Sequence, residues 1–314
     1  MHELIVDTDA GVDDAIALMM ILAYPTARMI AVTTVSGNVA VEQVTRNVCL
    51  ILDQLGHEAP VYRGCDRPLM GRILRAGGVH GEDGLGNIAH TLPPSTRRPQ
   101  DEPAAQALVR LGRENAREFT LLALGPLTNL ALALRLDPDF AQNVARLVVM
   151  GGAIEAHGNA STAAEFNILA DPEAAAIVFE AGFPDLWLLS WETTLKYPLA
   201  WERYETLAAK ETRQAAFFNQ ISAYTANLLR NNFAAPGFLL PDPLAAAIAL
   251  QPDLVRKAPH VAISTELAGI QGRGLTSVDW RGLFGQPPNA HVVTELDEGK
   301  FFDLLEAGTG CKGG

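Results

Sequence analysis

The chain has 314 residues, 48% of them hydrophobic and 19% charged, and carries a formal net charge of −12. That apolar content supports a large buried core and excludes a disordered chain. The acidic balance argues against a nucleic-acid backbone as partner, because phosphate binding needs clustered Lys and Arg, and suits a protein that binds a cation and a neutral small molecule. Cys49, Cys65 and Cys311 are far apart, form neither a zinc spacing nor a disulfide framework, and fit a reducing compartment. No basic, apolar leader precedes Leu4-Ile5-Val6, and no apolar run reaches the ~18–20 residues of a membrane span, so a soluble, cytoplasmic protein without a membrane partner is expected.

Short β-branched runs alternate with helical patterns in chain order. A strand over 3–7 is followed by a helix over 14–24, a strand over 29–35 and a helix over 40–56. The stretch 64–100, rich in Gly, Pro, Arg and His, reads as a long loop of the kind that often serves as a lid or binding loop. Strand 119–124 leads to helix 127–135, strand 145–150, helix 172–181, strand 185–190, helices at about 199–230 and a helix over 242–250. This alternation predicts an α/β fold with an open, mostly parallel sheet and helices on both faces. No linker divides it, so one domain over 1–310 is expected, with a frayed tail at 311–314. Segments 70–90 and 220–240 are the expected mobile lids.

Ligands of an open parallel sheet sit beyond the carboxyl ends of its strands. The first of those ends reads Asp7-Thr8-Asp9-Ala10-Gly11-Val12-Asp13-Asp14. Four carboxylates within eight residues repel strongly unless a cation lies among them. With only oxygen donors and no His or Cys beside them, the implied ion is hard, Ca²⁺ or Mg²⁺. Asp13 or Asp14 alone would read as a helix cap. An EF-hand loop does not fit, because Gly11 stands fifth and no Glu closes the run; the phosphatase DxD pattern lacks its following Gly-Thr. Glu165 and Asn167, two apart on a segment read as extended, would point to the same side. Asn129 and Asp171-Pro172-Glu173 read as helix-start scaffold.

From Asp7 to Ala17 the chain resembles the nucleoside hydrolase (inosine–uridine-preferring) family, whose opening fingerprint is DxDxGxDDxxA. The resemblance continues through Asn38, the loop His80-Gly81-Glu82-Asp83-Gly84-Leu85-Gly86 and the turn Gly125-Pro126-Leu127-Thr128-Asn129. It extends through Met150-Gly151-Gly152, Asn159, Glu165-Phe166-Asn167, Asp171-Pro172-Glu173-Ala174-Ala175 and Asp242-Pro243, in order over about residues 1–250.

The resemblance implies the Rossmann-like nucleoside hydrolase fold and Ca²⁺-dependent hydrolysis of ribonucleosides to ribose and free base, in a homodimer or homotetramer. Asp9, Asp14, Asp242 and a backbone carbonyl at Leu124 (Thr128 as the alternative) would hold Ca²⁺, and Asp9 would take the proton of a metal-bound water. Asp13, Asn159, Glu165, Asn167 and Asp242 would face the ribose, with Met150 beneath the sugar and Asn38 fixing the water or the metal shell. Many members carry a His immediately before the late Asp to protonate the leaving base; here that residue is Pro241. His80 is then a candidate acid, with Glu82, Tyr224 or stacking on Trp191, Trp201, Phe233 or Phe238 as alternatives. The same departure leaves room for a modified nucleoside or another N-riboside as substrate, and a ribose- or Ca²⁺-binding protein without turnover is the contrasting expectation.

Overall fold

The alternation of apolar runs and helical segments resolves, in a computed structural model that describes residues 2–310, into a nine-stranded sheet between two layers of helices. Strands β1 (His2–Thr8), β2 (Ala27–Thr34), β3 (Val61–Arg63), β4 (Phe119–Ala123), β5 (Arg146–Met150) and β6 (Leu186–Leu189) lie parallel in the order β3-β2-β1-β4-β5-β6. Beyond β6 the sheet adds Ala290–Val293 in parallel, then His260–Thr265 and Thr276–Asp279 through antiparallel pairings. The tail expected to fray at 311–314 lies outside the described residues.

Side-chain alternation along each strand feeds two cores. Leu4, Val6, Val32, Leu122 and Val148 pack with α1 (Val12–Ala23), α2 (Val41–Leu55) and the helix Pro241–Leu250. Ile5, Ala31, Leu121 and Leu147 pack on the other face, with the helices Ala104–Glu114 and Thr128–Leu136. Strands covered on both sides need apolar residues at every position, which is why they read as unbroken runs. Each fully buried Leu or Val contributes about 1.5–3 kcal/mol, so these two layers fix the strand ends that carry the polar residues.

Against the expected elements the structure agrees in some places and departs in others. The 199–230 region holds two helices, Trp201–Ala208 and Arg213–Asn231; the second starts where the Thr212 side chain accepts a hydrogen bond from the Ala215 N–H. The stretch 64–100 is a long connection, as expected, with one helical turn at Gly77–His80 and a 3₁₀ turn at Ala89–Thr91. Residues 220–231, expected within a lid, belong to the Arg213–Asn231 helix, and Thr225 Oγ1 ties it to the Val79 carbonyl at 2.8 Å. The strands after residue 250 were not among the expected elements: in His260–Thr265 only Ile263 is buried, whereas Ala290–Val293 buries Ala290, Val292 and Val293. Among the described residues, no helix is long and apolar enough to cross a membrane.

One buried amide joins three strand ends. Asn129 Nδ2 donates to Asp7 Oδ1 (2.7 Å) and to the Thr34 carbonyl (2.9 Å), and its Oδ1 accepts from the Cys65 N–H (2.9 Å). Asn129→Ala takes this partner from the Cys65 N–H and the Thr34 carbonyl, while Asp7 Oδ1 keeps the Thr33 hydroxyl; each group left unpaired costs about 1–3 kcal/mol. The variant is expected to lose about 2–4 kcal/mol in denaturant unfolding. A loss below about 1 kcal/mol would show that the amide does not hold these ends together.

Candidate active site

β1 and β4 are neighbours, but the chain leaves β1 toward β2 and leaves β4 toward β5, so their carboxyl ends open the crevice of a topological switch point. The acidic turn leaves the end of β1, and Leu124 follows the end of β4 with its N–H on the Asp7 carbonyl (2.8 Å). Asp242 enters the same crevice from the first turn of the Pro241–Leu250 helix.

The turn is built by its own side chains. Ala10 takes a left-handed conformation (φ 47°), and Gly11 then serves as the N-cap of α1. Asp14 reaches back to accept the Gly11 N–H at 2.7 Å and also accepts the Thr8 hydroxyl, which in turn receives the Ala10 N–H at 3.0 Å. Thr8, between two of the acids, is a site residue that the sequence reading passed over; its position in Asp-Thr-Asp was the available signal.

Asp9 is gripped on both oxygens: the Asn38 N–H donates to Oδ2 (2.8 Å) and Asn38 Nδ2 to Oδ1 (2.9 Å). Glycines allow that approach. A methyl group at Gly37 would overlap the Asp9 carboxylate, and one at Gly125 would come within 3.2 Å of Asp9 Cβ and Cγ. Asp9, Asp14 and Asp242 are buried, Asp13 partly so. Carboxylate oxygens of Asp13, Asp14 and Asp242 lie within 4.8 Å of one another, and Asn38 Nδ2, which donates to Asp9 Oδ1, also reaches Asp14 Oδ2 at 3.5 Å.

The electrostatics of this cluster are unfavourable without a cation. Burial first, then mutual repulsion, raises Asp9 and Asp242 well above the usual carboxylate range. Burial likewise lifts Asp7 to about 7 and Asp13 and Asp14 to about 6. Among the described residues no Lys or Arg forms an ion pair with any of the five, and Asp7 Oδ2 is buried without a hydrogen-bond partner. An all-oxygen set of this kind fits a hard divalent cation. The Leu124 carbonyl accepts from Asn167 Nδ2 at 2.8 Å, which leaves its second lone pair available as a further oxygen donor.

On the sugar-facing candidates the structure corrects the extended reading of 165–167. Glu165 is the N-cap of the helix Phe166–Ala170, and Asn167 lies in its first turn, so a helix start rather than strand alternation turns both inward. Glu165 accepts the N–H groups of Gly152 (2.9 Å), Asn167 (2.9 Å) and Ile168 (3.2 Å), and burial lifts it to about 7. Met150, buried at the end of β5, offers its carbonyl to Asn167 Nδ2 at 3.2 Å. Asn159 is exposed, and its Oδ1 accepts the Phe166 N–H at 2.8 Å.

His80 joins the cluster from the Gly77–His80 turn. The Val12 N–H donates to its Nδ1 (3.2 Å), which also lies 3.4 Å from Asp13 Oδ1, and burial lowers the imidazole to about 4 against the pull of Asp14. Pro241 is the first residue of its helix and buried. Glu82 is exposed, Phe238 packs in the core against Tyr204, and Trp201 donates to the Ala235 carbonyl. Phe233 is 64% exposed, and Tyr224 Oη donates to the Gly78 carbonyl at 3.4 Å.

Comparison with known proteins agrees with this geometry. Residues 4–303 match the family model described as inosine-uridine preferring nucleoside hydrolase. The pyrimidine-specific ribonucleoside hydrolase RihA of Salmonella enteritidis PT4 is 37% identical over 311 residues, covering 96% of each chain. A plant nucleoside hydrolase, the PpNRh1 enzyme, superposes with a TM-score of 0.90 at 33% identity, covering 99% of both chains. An inosine-guanosine nucleoside hydrolase superposes with a TM-score of 0.91 at 32% identity, covering 98% of this chain and 99% of the other.

The raised acids carry a pH signature. An unfolded Asp titrates near 3.8, whereas these hold their protons to about 6–7, so the metal-free folded chain binds more protons than the unfolded one between those values. Its stability therefore falls as pH rises through that window. The melting temperature of chelator-treated protein is expected to drop between about pH 5 and 7.5, and a divalent cation to raise it more at the higher pH. A metal-free melting temperature that climbs across the same window would contradict this account of the cluster.

Proposed function

This chain belongs to the inosine-uridine preferring nucleoside hydrolase family and is an N-ribosyl hydrolase of ribonucleosides, and from that premise we propose how its residues divide the reaction. Asp9, Asp14, Asp242 and the Leu124 carbonyl hold Ca²⁺, and Asp9 acts as general base toward the attacking water. The observation that carries this reading is the burial of Asp9, Asp14 and Asp242 at the switch point with no Lys or Arg paired to them. When bound, the ion would supply a Lewis acid that lowers the pKa of water.

The remaining steps belong to side chains. Water oxygen bonds to the anomeric carbon as the bond to the base nitrogen breaks; Asp9 receives the water proton and the base departs with the electron pair. Asn38, holding both Asp9 oxygens, orients that base. Asp13 and Asp242 accept ribose hydroxyls and stabilise the positive charge that grows on the ring. Asn159, Glu165 and Asn167 take the 5′ end, and Met150 packs beneath the sugar. His80 is neutral at physiological pH, since burial lowers it to about 4. With Nδ1 occupied by the Val12 N–H, its Nε2–H is the donor left for the departing base.

The RihA relative is described as pyrimidine-specific, which makes uridine and cytidine the first substrates to test. A second reading, an N-riboside with an unusual base, is favoured by Pro241, which brings no proton donor to the position before Asp242. A homodimer or homotetramer would cover the exposed Trp280, Leu283 and Phe284.

The test is reducing-sugar release from a panel of purine and pyrimidine ribonucleosides, before and after stripping divalent metal. Turnover is expected to vanish with the metal, return with Ca²⁺ and fall about 10³-fold in Asp9→Ala. Undiminished turnover in Asp9→Ala would remove it as the base. Failure of every common ribonucleoside with metal-loaded protein would favour the unusual N-riboside.

A further inference from the structure

Between β5 and the helix Phe166–Ala170 the chain runs through residues 151–165 without regular structure, and its backbone N–H groups must find acceptors elsewhere. Three of them converge on one side chain. Glu192 Oε2 accepts the Ile154 N–H (2.9 Å), and Oε1 accepts those of Glu155 (2.9 Å) and His157 (3.3 Å). Glu192 is only 5% exposed and sits in the short helical turn Trp191–Thr194 that follows β6, so its carboxylate is anchored to the sheet. The Trp191 N–H adds a bond to the Gly152 carbonyl (2.9 Å), and Ala156, between the donors, takes a left-handed φ of 58°. A wrapped backbone of this kind is a nest closed on an internal anion.

Two residues beyond His157 stands Asn159. Its Oδ1 faces the Phe166 N–H, so its Nδ2 points away from that bond and has no hydrogen-bond partner among the described residues. We propose that Glu192 is a positioning residue for the sugar: its carboxylate templates the 154–157 loop so that the Asn159 amide stands ready to donate to the 5′-hydroxymethyl end of the ribonucleoside. This rests on the reading of the site as a ribonucleoside hydrolase with Asn159 at the 5′ end. Acidity at position 192 is required by the geometry. In Glu192→Gln one oxygen becomes an NH₂ that must face either the Ile154 N–H or those of Glu155 and His157, donor against donor.

The test compares kcat/KM for uridine and 5′-deoxyuridine in wild type, Glu192→Gln, Asn159→Ala and the double variant, alongside amide hydrogen exchange. The preference for uridine is expected to shrink about tenfold in Glu192→Gln, chiefly through KM, and the double variant to be no worse than the poorer single one. Exchange at Ile154, Glu155 and His157 is expected to quicken. Equal losses on both substrates, which a purely structural role would give, would overturn the proposal, as would unchanged exchange. Glu192→Asp, which keeps the charge one methylene short, gives the same comparison if the Gln chain does not fold. Wild type inactive on both nucleosides would instead fault the reading of the site, and the exchange data would still decide whether Glu192 holds the loop.

Discussion

Mutual repulsion among carboxylates withdrawn from water is the constraint to which the rest of this molecule is fitted. Asp7, Asp9, Asp14 and Asp242 are buried, and Asp13 partly so. The fold answers with donors. Asn38 gives both its N–H groups to Asp9, Thr8 and the Gly11 N–H serve Asp14, and Thr33 and Asn129 serve Asp7. It also answers with dipoles: α1 and the Pro241–Leu250 helix both begin at the cluster, Asp13 and Asp14 in the first turn of one and Asp242 in that of the other. Two positive helix ends converging on one crevice favour negative charge there, each by about 0.3–1 kcal/mol, too little to offset several buried charges. The remainder falls to a cation, and hence the folded state is expected to be linked to metal and to pH together.

What was legible in the sequence follows from how local the information is. The acidic turn lies within eight consecutive residues, and its turn-forming Gly11 and helix-starting acids need no partner from afar. The parallel sheet was legible for a related reason, since strands covered on both faces must be apolar throughout. Contacts that close over long separations left no trace. Asn129, read as a helix-start residue, proves to join Asp7, Thr34 and Cys65, which lie 64 to 122 positions away. Glu192 carries no sign in the chain that it serves backbone 35 to 38 residues earlier. The strands after residue 250 escaped for a third reason, being runs of at most six residues, too short to show a period. The error over 165–167 is of the same kind: Glu165 caps a helix of five residues, too brief for a 3.6-residue repeat to appear.

Close packing explains how the candidate base could be rigid as well as buried. Gly37 abuts Asp9 where any side chain would collide with its carboxylate, Gly125 packs where an added methyl would sit 3.2 Å from Asp9 Cβ and Cγ, and Gly11 backs Asn38, where an added methyl would come within 2.6 Å of Nδ2. The two partners are thus held by backbone as well as by hydrogen bonds. A carboxylate pinned in this way needs little reorganisation as charge develops, and electrostatic preorganisation draws its advantage from that. Asn167 shows the same close fit, its amide bridging the carbonyls of Leu124, just past β4, and of Met150, at the end of β5.

On the proposed mechanism the side that faces the departing base is built differently. Pro241 is locked at the start of its helix, contributing a favourable φ and no proton. His80 has its Nδ1 engaged by backbone and its basicity reduced by burial, so it stores no proton to give at neutral pH. On the proposed mechanism the catalytic effort is therefore concentrated on the sugar and the water, and the base receives at most a hydrogen bond from Nε2–H. Such a site serves best a base whose anion is already stabilised by its own ring carbonyls. A purine that must first be protonated on its five-membered ring asks for an acid that Pro241 does not supply.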